Sequence, residues 1–492
     1  MAAADAAPPD ATGRALWAPR AWIGGRWQDD VLLRIDGHGH WAEITPGIAA
    51  PPGDATRLAG PVLPSLVDAH SHAFQRAFAG LAERRSARAD GPGDDFWSWR
   101  DRMYRVASRI TPAALRAIAA QLYVELLRGG YTQVCEFHYL QHAEDGTPYA
   151  DPAMLMSSLA DAAGDAGIGL TLLPVLYERA GFDAPNLRPD QRRFASTPEF
   201  VLRQRDAVRA AGRPHVNAGV AIHSLRAASA ASIAALMRAL GGDAGPIHIH
   251  VAEQTAEVDA SLAKTGTRPI EWLCREARPD ARWQLVHATH ATPAEIDAVA
   301  ASGAGIVICP STEANLGDGL ADLPRWLAAG VPLAIGSDSQ VARAWPEELR
   351  WLEYGQRLVR RERNVAASGA AQLRRSADAR SADTGSASSS AARLFEAALA
   401  NSGPPAGFAR WGLVAGARAD ALVLDAAEPG LLGVPPSHTL DALVFATDGP
   451  AFNEVYVAGR RVVQDGVHAD AAPIAARFSD EMTELWGDVE LD

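Results

Sequence analysis

Eight apolar runs of strand length, each followed by sequence of helical character, constrain this 492-residue chain more than any other feature. They are Leu63–Ala69, Thr132–Phe137, Gly169–Leu176, Val216–Ile222, Ile247–Val251, Trp283–Val286, Gly305–Cys309 and Val331–Ile335. Helix signals stand between them. Thr111-Pro112 opens a segment that stops at Gly129-Gly130, and Thr197-Pro198 opens one ending near Gly212. Thr292-Pro293-Ala294-Glu295 combines an N-cap, a proline at the first helical position and a capping glutamate. Eight such repeats are what a closed parallel barrel requires. The expected fold class is α/β, a (β/α)8 TIM-like barrel over residues 61–403.

The flanks have a different pattern. Short apolar stretches broken by glycine occur at Ala21–Ile23 and Val31–Ile35, and again at Ala419–Leu424 and Glu454–Val463. They read as small antiparallel strands. Each side is too short to stand alone, so the two ends are expected to meet in a small composite β domain, 15–60 with 404–480. The Ala/Pro-rich residues 1–14 read as a disordered tail. The low-complexity stretch at about 366–392, which repeats RSAD, reads as a disordered surface insert unable to bury enough apolar area to order itself.

Composition narrows the function. A net charge of −13 argues against nucleic acid or an anionic membrane as partner. No run approaches the ~20 apolar residues of a spanning segment, and the N-terminus lacks the basic and apolar regions of a secretory signal. Cys135, Cys274 and Cys309 are far apart with no C-x-x-C spacing, which fits a reduced, cytoplasmic protein.

In a barrel of this kind, chemistry gathers at the C-terminal ends of the strands. The first run ends in His70 and His72, which share one face of a strand. The second ends in Glu136-Phe137-His138-Tyr139 and the fourth in His223-Ser224-Leu225-Arg226. The fifth reads His248-Ile249-His250-Val251-Ala252-Glu253. The sixth ends in His287-Ala288-Thr289-His290, and the eighth in Gly336-Ser337-Asp338-Ser339. An open catalytic zinc site takes about three to four protein ligands and keeps a position for water. His70, His72, His250 and Asp338 supply such a set. Glu253 and Asp338 can move protons and His287 can hydrogen-bond the attacking oxygen, which makes a hydrolytic arrangement.

Several of these residues have blander roles open to them. Asp338 could instead cap the following helix. His248 reads at least as well as a packed core residue, and His142 and His290 as loop or structural residues. Arg226 could clamp an anion or merely cover surface. The single lysine, Lys264, lies in SLAKTGT, away from any strand end. Two-metal barrels usually bridge their ions with a carboxylated lysine at a strand end, so one divalent metal ion, zinc, is expected.

The motifs VDAHSH, HIHVAEQ, LVHATH and IGSDS, in this order, resemble the amidohydrolase superfamily and its mononuclear deaminase branch. GLVAGARADALVLD and VYVAGRRVVQDG are similar to that superfamily's C-terminal β segments. Within the branch, HSHAFQRAFAGL, FWSWRDRMYR, CEFHYLQH, AIHSLR and CPSTEANLGDG resemble the formimidoylglutamate deiminase family of histidine degradation. That likeness runs from about Pro61 to Arg363 and resumes near Leu394. LPSLVDAHSH departs from it by lacking a glycine that many relatives carry before the Val-Asp.

The resemblance implies His70, His72, His250 and Asp338 as metal ligands and Glu253, His287 and Asp338 as catalytic residues. It implies Gln75, Arg100, Tyr139, His223 and Arg226 as the substrate pocket, with Arg102 and Arg105 as rivals to Arg100. The implied reaction is hydrolysis of N-formimino-L-glutamate, a small molecule with two carboxylates, to N-formyl-L-glutamate and ammonia. Two readings compete with it. A deaminase of the same branch acting on a purine or pyrimidine would not need paired arginines. A non-catalytic metal-binding relative would not need Glu253, His287 and Asp338 together. Homodimeric assembly is left open.

Overall fold

The computed structural model describes residues 14–84, 94–367, 389–449 and 451–487. Eight parallel strands follow one another in chain order around the barrel. They are Leu66–Ser71, Tyr131–His138, Gly169–Leu176, a bent fourth strand, Ile247–Val251, Trp283–His287, Gly305–Ile308 and Leu333–Ile335. The fourth consists of Val216–Ala218 and Val220–Ile222. It bends at Gly219, where a side chain would meet the Pro246 carbonyl oxygen at 2.4 Å.

The circle closes just past the end of the last strand. Asp338 N–H donates to the His70 carbonyl (2.9 Å), and His72 N–H donates to the Asp338 carbonyl (3.2 Å). Ser71 and Asp338 form a parallel bridge. Gly336 permits this approach, because a Cβ there would lie 2.7 Å from the His70 Cβ and 2.8 Å from its carbonyl oxygen.

The helices begin where their caps dictate. Thr111 Oγ1 accepts from Ala114 N–H (3.1 Å) ahead of Pro112–Arg128, which stops at Gly129. Thr292 and Glu295 form a reciprocal capping box before Pro293–Ser302. Apolar faces of the helices and outward side chains of the strands merge into one buried core. The strand ends are thereby held from both sides.

The chain ends build a second sheet. Its order is Val467–His468, Arg460–Gln464, Phe452–Val457, Ala421–Leu424, Val62–Leu63, Ala15–Ile23, Arg26–Ile35, Trp41–Thr45, with Ala55–Arg57 beside Ala15–Trp17. N- and C-terminal parts meet where Leu63 pairs with Leu422. Three boundaries differ from the sequence expectation. Leu63 belongs to this sheet, and the first barrel strand starts at Leu66. The intervening Pro64 has no N–H to continue a strand and restricts the residue before it. The last helix, Ala471–Trp486, packs on the barrel side: Trp486 Nε1 donates to the Ala77 carbonyl (3.1 Å) and its ring stacks on Phe78. Finally, the flanks of the 366–392 stretch are ordered. Ala366 and Ala367 are buried and Ser389 caps the helix Ser390–Ala400. Residues 368–388, like the tail 1–13, lie outside the described residues.

A buried ion pair pins the composite sheet to the barrel. Arg418 grips Asp420 through Nε (2.9 Å) and Nη2 (2.6 Å). It also donates to Gln133 Oε1 (2.7 Å) and the Thr132 carbonyl (2.9 Å) on the second barrel strand. Asp420 in turn accepts from Thr132 Oγ1 (2.6 Å) and Ala458 N–H (2.9 Å). Such full partnering is the condition for burying charge without a large desolvation penalty.

Candidate metal centre and active site

His70 and His72 leave the first strand on one side, as the two-residue spacing requires, with ring centroids 4.7 Å apart. His250 from the fifth strand brings its Nε2 to 3.0 Å from His70 Nε2. Asp338, beyond the eighth strand, places Oδ1 3.5 Å from His70 Nε2 and 3.4 Å from His72 Nε2. All four residues are buried. Burial is the first cause that drives these imidazoles towards neutrality, lowering His70 to about 3 and depressing His72 and His250 as well. Neutral imidazole is the ligating form. His72 Nδ1 donates to the Phe137 carbonyl (2.8 Å), which leaves Nε2 as its free lone pair. Phe137 also stacks on the His250 ring, centroids 4.3 Å apart. Ring nitrogens of His70, His72 and His250 lie within 4.8 Å of one another, as do ligand atoms of His70, His287 and Asp338, and such converging donors fit a divalent metal ion.

Beside this cluster stand further titratable groups. His287 Nε2 lies 3.7 Å from Glu253 Oε1 and 3.9 Å from Asp338 Oδ2, and its Nδ1 lies 3.3 Å from Glu313 Oε1. Burial opposes a charge on His287, but Glu253, Glu313 and Asp338 prevail and raise its pKa to about 10. Glu253 moves to about 7, with burial the main cause and His287 and Arg226 pulling the other way. Asp338 is held well below the usual carboxylate range. Burial works against its ionisation, and the hydrogen bond from His70 together with the cationic His287 outweighs it. The backbone beneath is strained: Ala252, His287, Ala288 and Asp338 have φ of +52°, +69°, +48° and +49°. Non-glycine residues hold such angles where packing over-determines them, typically at functional sites.

Above lies a cavity onto which Gln75, Arg100, Tyr139, His223 and Arg226 all face, together with His72, His250, Glu253, His287 and Asp338. Gln75 Nε2 donates to the Tyr139 hydroxyl (3.1 Å), and its Oε1 has no partner. His223 is pushed well below its ordinary value, by burial first and then by Arg226, His72 and Arg100. Nε and Nη1 of Arg226 and Nε of Arg100 are buried without hydrogen-bond partners. Of the arginines on the helix Phe96–Ala107, Arg100 lines the cavity. Arg102 is turned to the Ala82 and Arg84 carbonyls and Asp94, and Arg105 is exposed. His248 and His142 bond to the carbonyls of Pro405 (2.9 Å) and Ala195 (2.7 Å), away from the cavity. Lys264 pairs with Asp183 on the exterior.

The sequence profile of the amidohydrolase family matches residues 62–462. The chain belongs to the amidohydrolase family. A formimidoylglutamate deiminase of Pseudomonas aeruginosa is 45% identical over 96% of this chain and 99% of its own. A 5-methylthioadenosine/S-adenosylhomocysteine deaminase of Natronomonas pharaonis is 28% identical over 82% of this chain and 81% of its own. Among solved structures, an amidohydrolase from Brucella melitensis is 38% identical, covers 96% of this chain and 99% of its own, and superposes with a TM-score of 0.86. An adenosine deaminase from Xanthomonas campestris with bound zinc shares the fold at 21% identity, with a TM-score of 0.76 over 98% of this chain and 100% of its own. The chain is therefore a hydrolase acting on C–N bonds. No helix among the described residues is long and apolar enough to cross a membrane.

Three residues of this amidohydrolase's site escape a reading by strand ends. Glu313 lies within the CPSTEANLGDG motif, on the helix Pro310–Leu316, and its contact with His287 is purely tertiary. Asp318 is raised to about 9 by burial and then by Glu253, and accepts from Gln254 Nε2. Trp97 sits under two cations, with Arg100 Cζ 4.6 Å and Arg226 Cζ 5.2 Å from its ring. The only hint of it in sequence is the aromatic density of FWSWRDRMYR.

Proposed function

We propose that this amidohydrolase hydrolyses N-formimino-L-glutamate to N-formyl-L-glutamate and ammonia, using one zinc ion held by His70, His72, His250 and Asp338. The observation that carries the reading is a pair of cavity-lining guanidiniums, Arg226 and Arg100, with buried N–H groups that nothing satisfies. A substrate with two carboxylates supplies the missing acceptors in bidentate form. A neutral purine or pyrimidine leaves them unpaired at a cost of roughly 1–3 kcal/mol each. The 45% identity to a formimidoylglutamate deiminase supports the same substrate.

The ion supplies Lewis acidity and lets water attack at neutral pH. The side chains do the rest. Arg226 and Arg100 hold the carboxylates, with Gln75, Tyr139 and His223 around them, and so direct the amidine carbon towards Glu253 and Asp338. Asp338 turns Oδ1 to His70 and His72 and Oδ2 towards His287, so Oδ2 can take the proton of the attacking water. His287, cationic and held at Nδ1 by Glu313, donates from Nε2 to the attacking oxygen. Glu253, titrating near neutrality, passes a proton to the leaving nitrogen, which departs as ammonia.

The test is ammonia release from N-formimino-L-glutamate measured beside guanine, adenosine and cytosine. Turnover confined to the first is expected. Preference for a nucleobase or nucleoside would overturn the reading.

A further inference from the structure

We infer that Trp97 is a specificity-determining positioning residue, its indole holding the Arg100 and Arg226 guanidiniums as a pair for a dianionic substrate. The identity of that substrate rests on the deiminase reading above. The pairing itself rests on geometry. Two cations sharing one poorly hydrated cavity wall repel each other, and neither has a dedicated counter-charge. Among the described residues no carboxylate lies within ion-pair distance of Arg226. Arg100 reaches only Asp101, at 3.6 Å, and Asp101 already pairs with Arg188 at 3.0 Å. Both guanidiniums stand over Trp97, at 4.6 and 5.2 Å from the ring, and Arg100 also lies 5.4 Å from the Tyr104 ring, so Trp97 is the ring the two share.

The placement of the ring is itself over-determined. Asp95 and Ser98 form a capping box around it, with Ser98 N–H donating to Asp95 Oδ1 (2.9 Å) and Asp95 N–H to Ser98 Oγ (3.0 Å). Phe96 meets the indole edge-on with centroids 5.0 Å apart. Trp97 and Arg100 are three residues apart on one helix and so neighbours on its surface. Arg226 comes from the loop after the fourth strand, so the indole couples two separate elements.

The chemistry explains why an aromatic ring and not an acid occupies this place. The face of an indole attracts a cation through its quadrupole and accepts none of the in-plane N–H bonds. A carboxylate there would neutralise the arginines and consume the donors that a substrate carboxylate needs. Trp97 keeps the pair charged, ordered and unsatisfied. Trp97 is not among the residues that line the cavity and acts through the arginines.

Trp97→Leu and Trp97→Phe are compared with wild type, using N-formimino-L-glutamate and the monocarboxylate N-formimino-glycine. Each cation–π contact is worth roughly 2- to 30-fold in an equilibrium. Trp97→Leu should therefore raise KM for the dicarboxylate about 10- to 100-fold with kcat nearly unchanged, and raise KM for the monocarboxylate less. Trp97→Phe, which keeps an aromatic face, should recover most of the loss. Calorimetry with glutarate reads the same pair without turnover, and Trp97→Leu should weaken that binding by a similar factor. Equal effects of Leu and Phe, equal factors on both substrates, or a fall in kcat at constant KM would overturn the inference. Wild type that binds glutarate in this Trp97-dependent way but releases no ammonia from N-formimino-L-glutamate would refute the deiminase reading and leave Trp97 standing.

Discussion

Replacing Arg226 by methionine removes a guanidinium and keeps an unbranched apolar side chain, so it isolates the charge. Two of the N–H groups of Arg226, on Nε and Nη1, are buried and unpaired in the free enzyme. A carboxylate arriving there takes one of these N–H groups together with Nη2 on the same edge of the guanidinium, and so forms two charge-assisted bonds at once, each worth roughly 1.5–3 kcal/mol. Their joint loss, about 3–6 kcal/mol, overlaps the range for breaking a buried charge pair. It corresponds to a fall in kcat/KM of roughly 10²- to 10⁴-fold. Metal content should stay at the wild-type value, because Arg226 is not among the converging donors. The assay is ammonia release from N-formimino-L-glutamate and from N-formimino-glycine, with metal measured by elemental analysis. Wild type should discriminate strongly between the two substrates, and Arg226→Met should lose much of that discrimination. Arg226→Lys, a point charge without the fork, should fall between them. An equal loss on both substrates, or no loss, would refute the clamp.

Four further outcomes are expected. His250→Ala should lose both bound metal, which should otherwise stand at one ion per chain by elemental analysis, and activity. Glu253→Gln should keep the metal while kcat drops by roughly 10²- to 10⁴-fold, the usual worth of a positioned proton carrier; a normal rate would remove Glu253 from the mechanism. Arg418→Met should lower stability in urea unfolding by about 3–5 kcal/mol, because it leaves Asp420 buried without its cation. Glu136 is raised from 4.5 to about 8, with burial as the main cause against hydrogen bonds from Ala73 and Ser71. Its protonated form thus favours the fold: the contribution is complete below the ordinary carboxyl pKa and is lost as pH rises towards 8. Glu136→Gln should flatten that part of the Tm-against-pH curve, and an unchanged slope would exclude Glu136 as its source.

The barrel was legible because alternation repeated eight times is hard to satisfy otherwise, and the convergence of His70, His72, His250 and Asp338 because they sit at or just beyond the ends of strands that share one mouth. The failures have local causes. Pro64 divided an apolar run that looks continuous by hydropathy, sending Leu63 to the other sheet. The choice among Arg100, Arg102 and Arg105 depends on which face of one helix turns to the cavity, and that is decided by packing against neighbours. Glu313 and Trp97 act through contacts with residues distant in the chain, His287 and Arg226. Neither lies at a strand end, and no spacing rule points to them.

The seam where Asp338 hydrogen-bonds to His70 and His72 also sets an order of events during synthesis. The imidazole pair at 70 and 72 leaves the ribosome 180 residues before His250. At roughly 5–20 residues per second that is an interval of ~10–40 s. Throughout it, the nascent chain carries half a chelate with nothing to complete it, and the carboxylate arrives later still. A chain cut short before Asp338 can neither close the barrel nor offer the full donor set. On the proposed ligand set, complete ligation of the metal has to wait for Asp338 and so follows translation of the eighth strand.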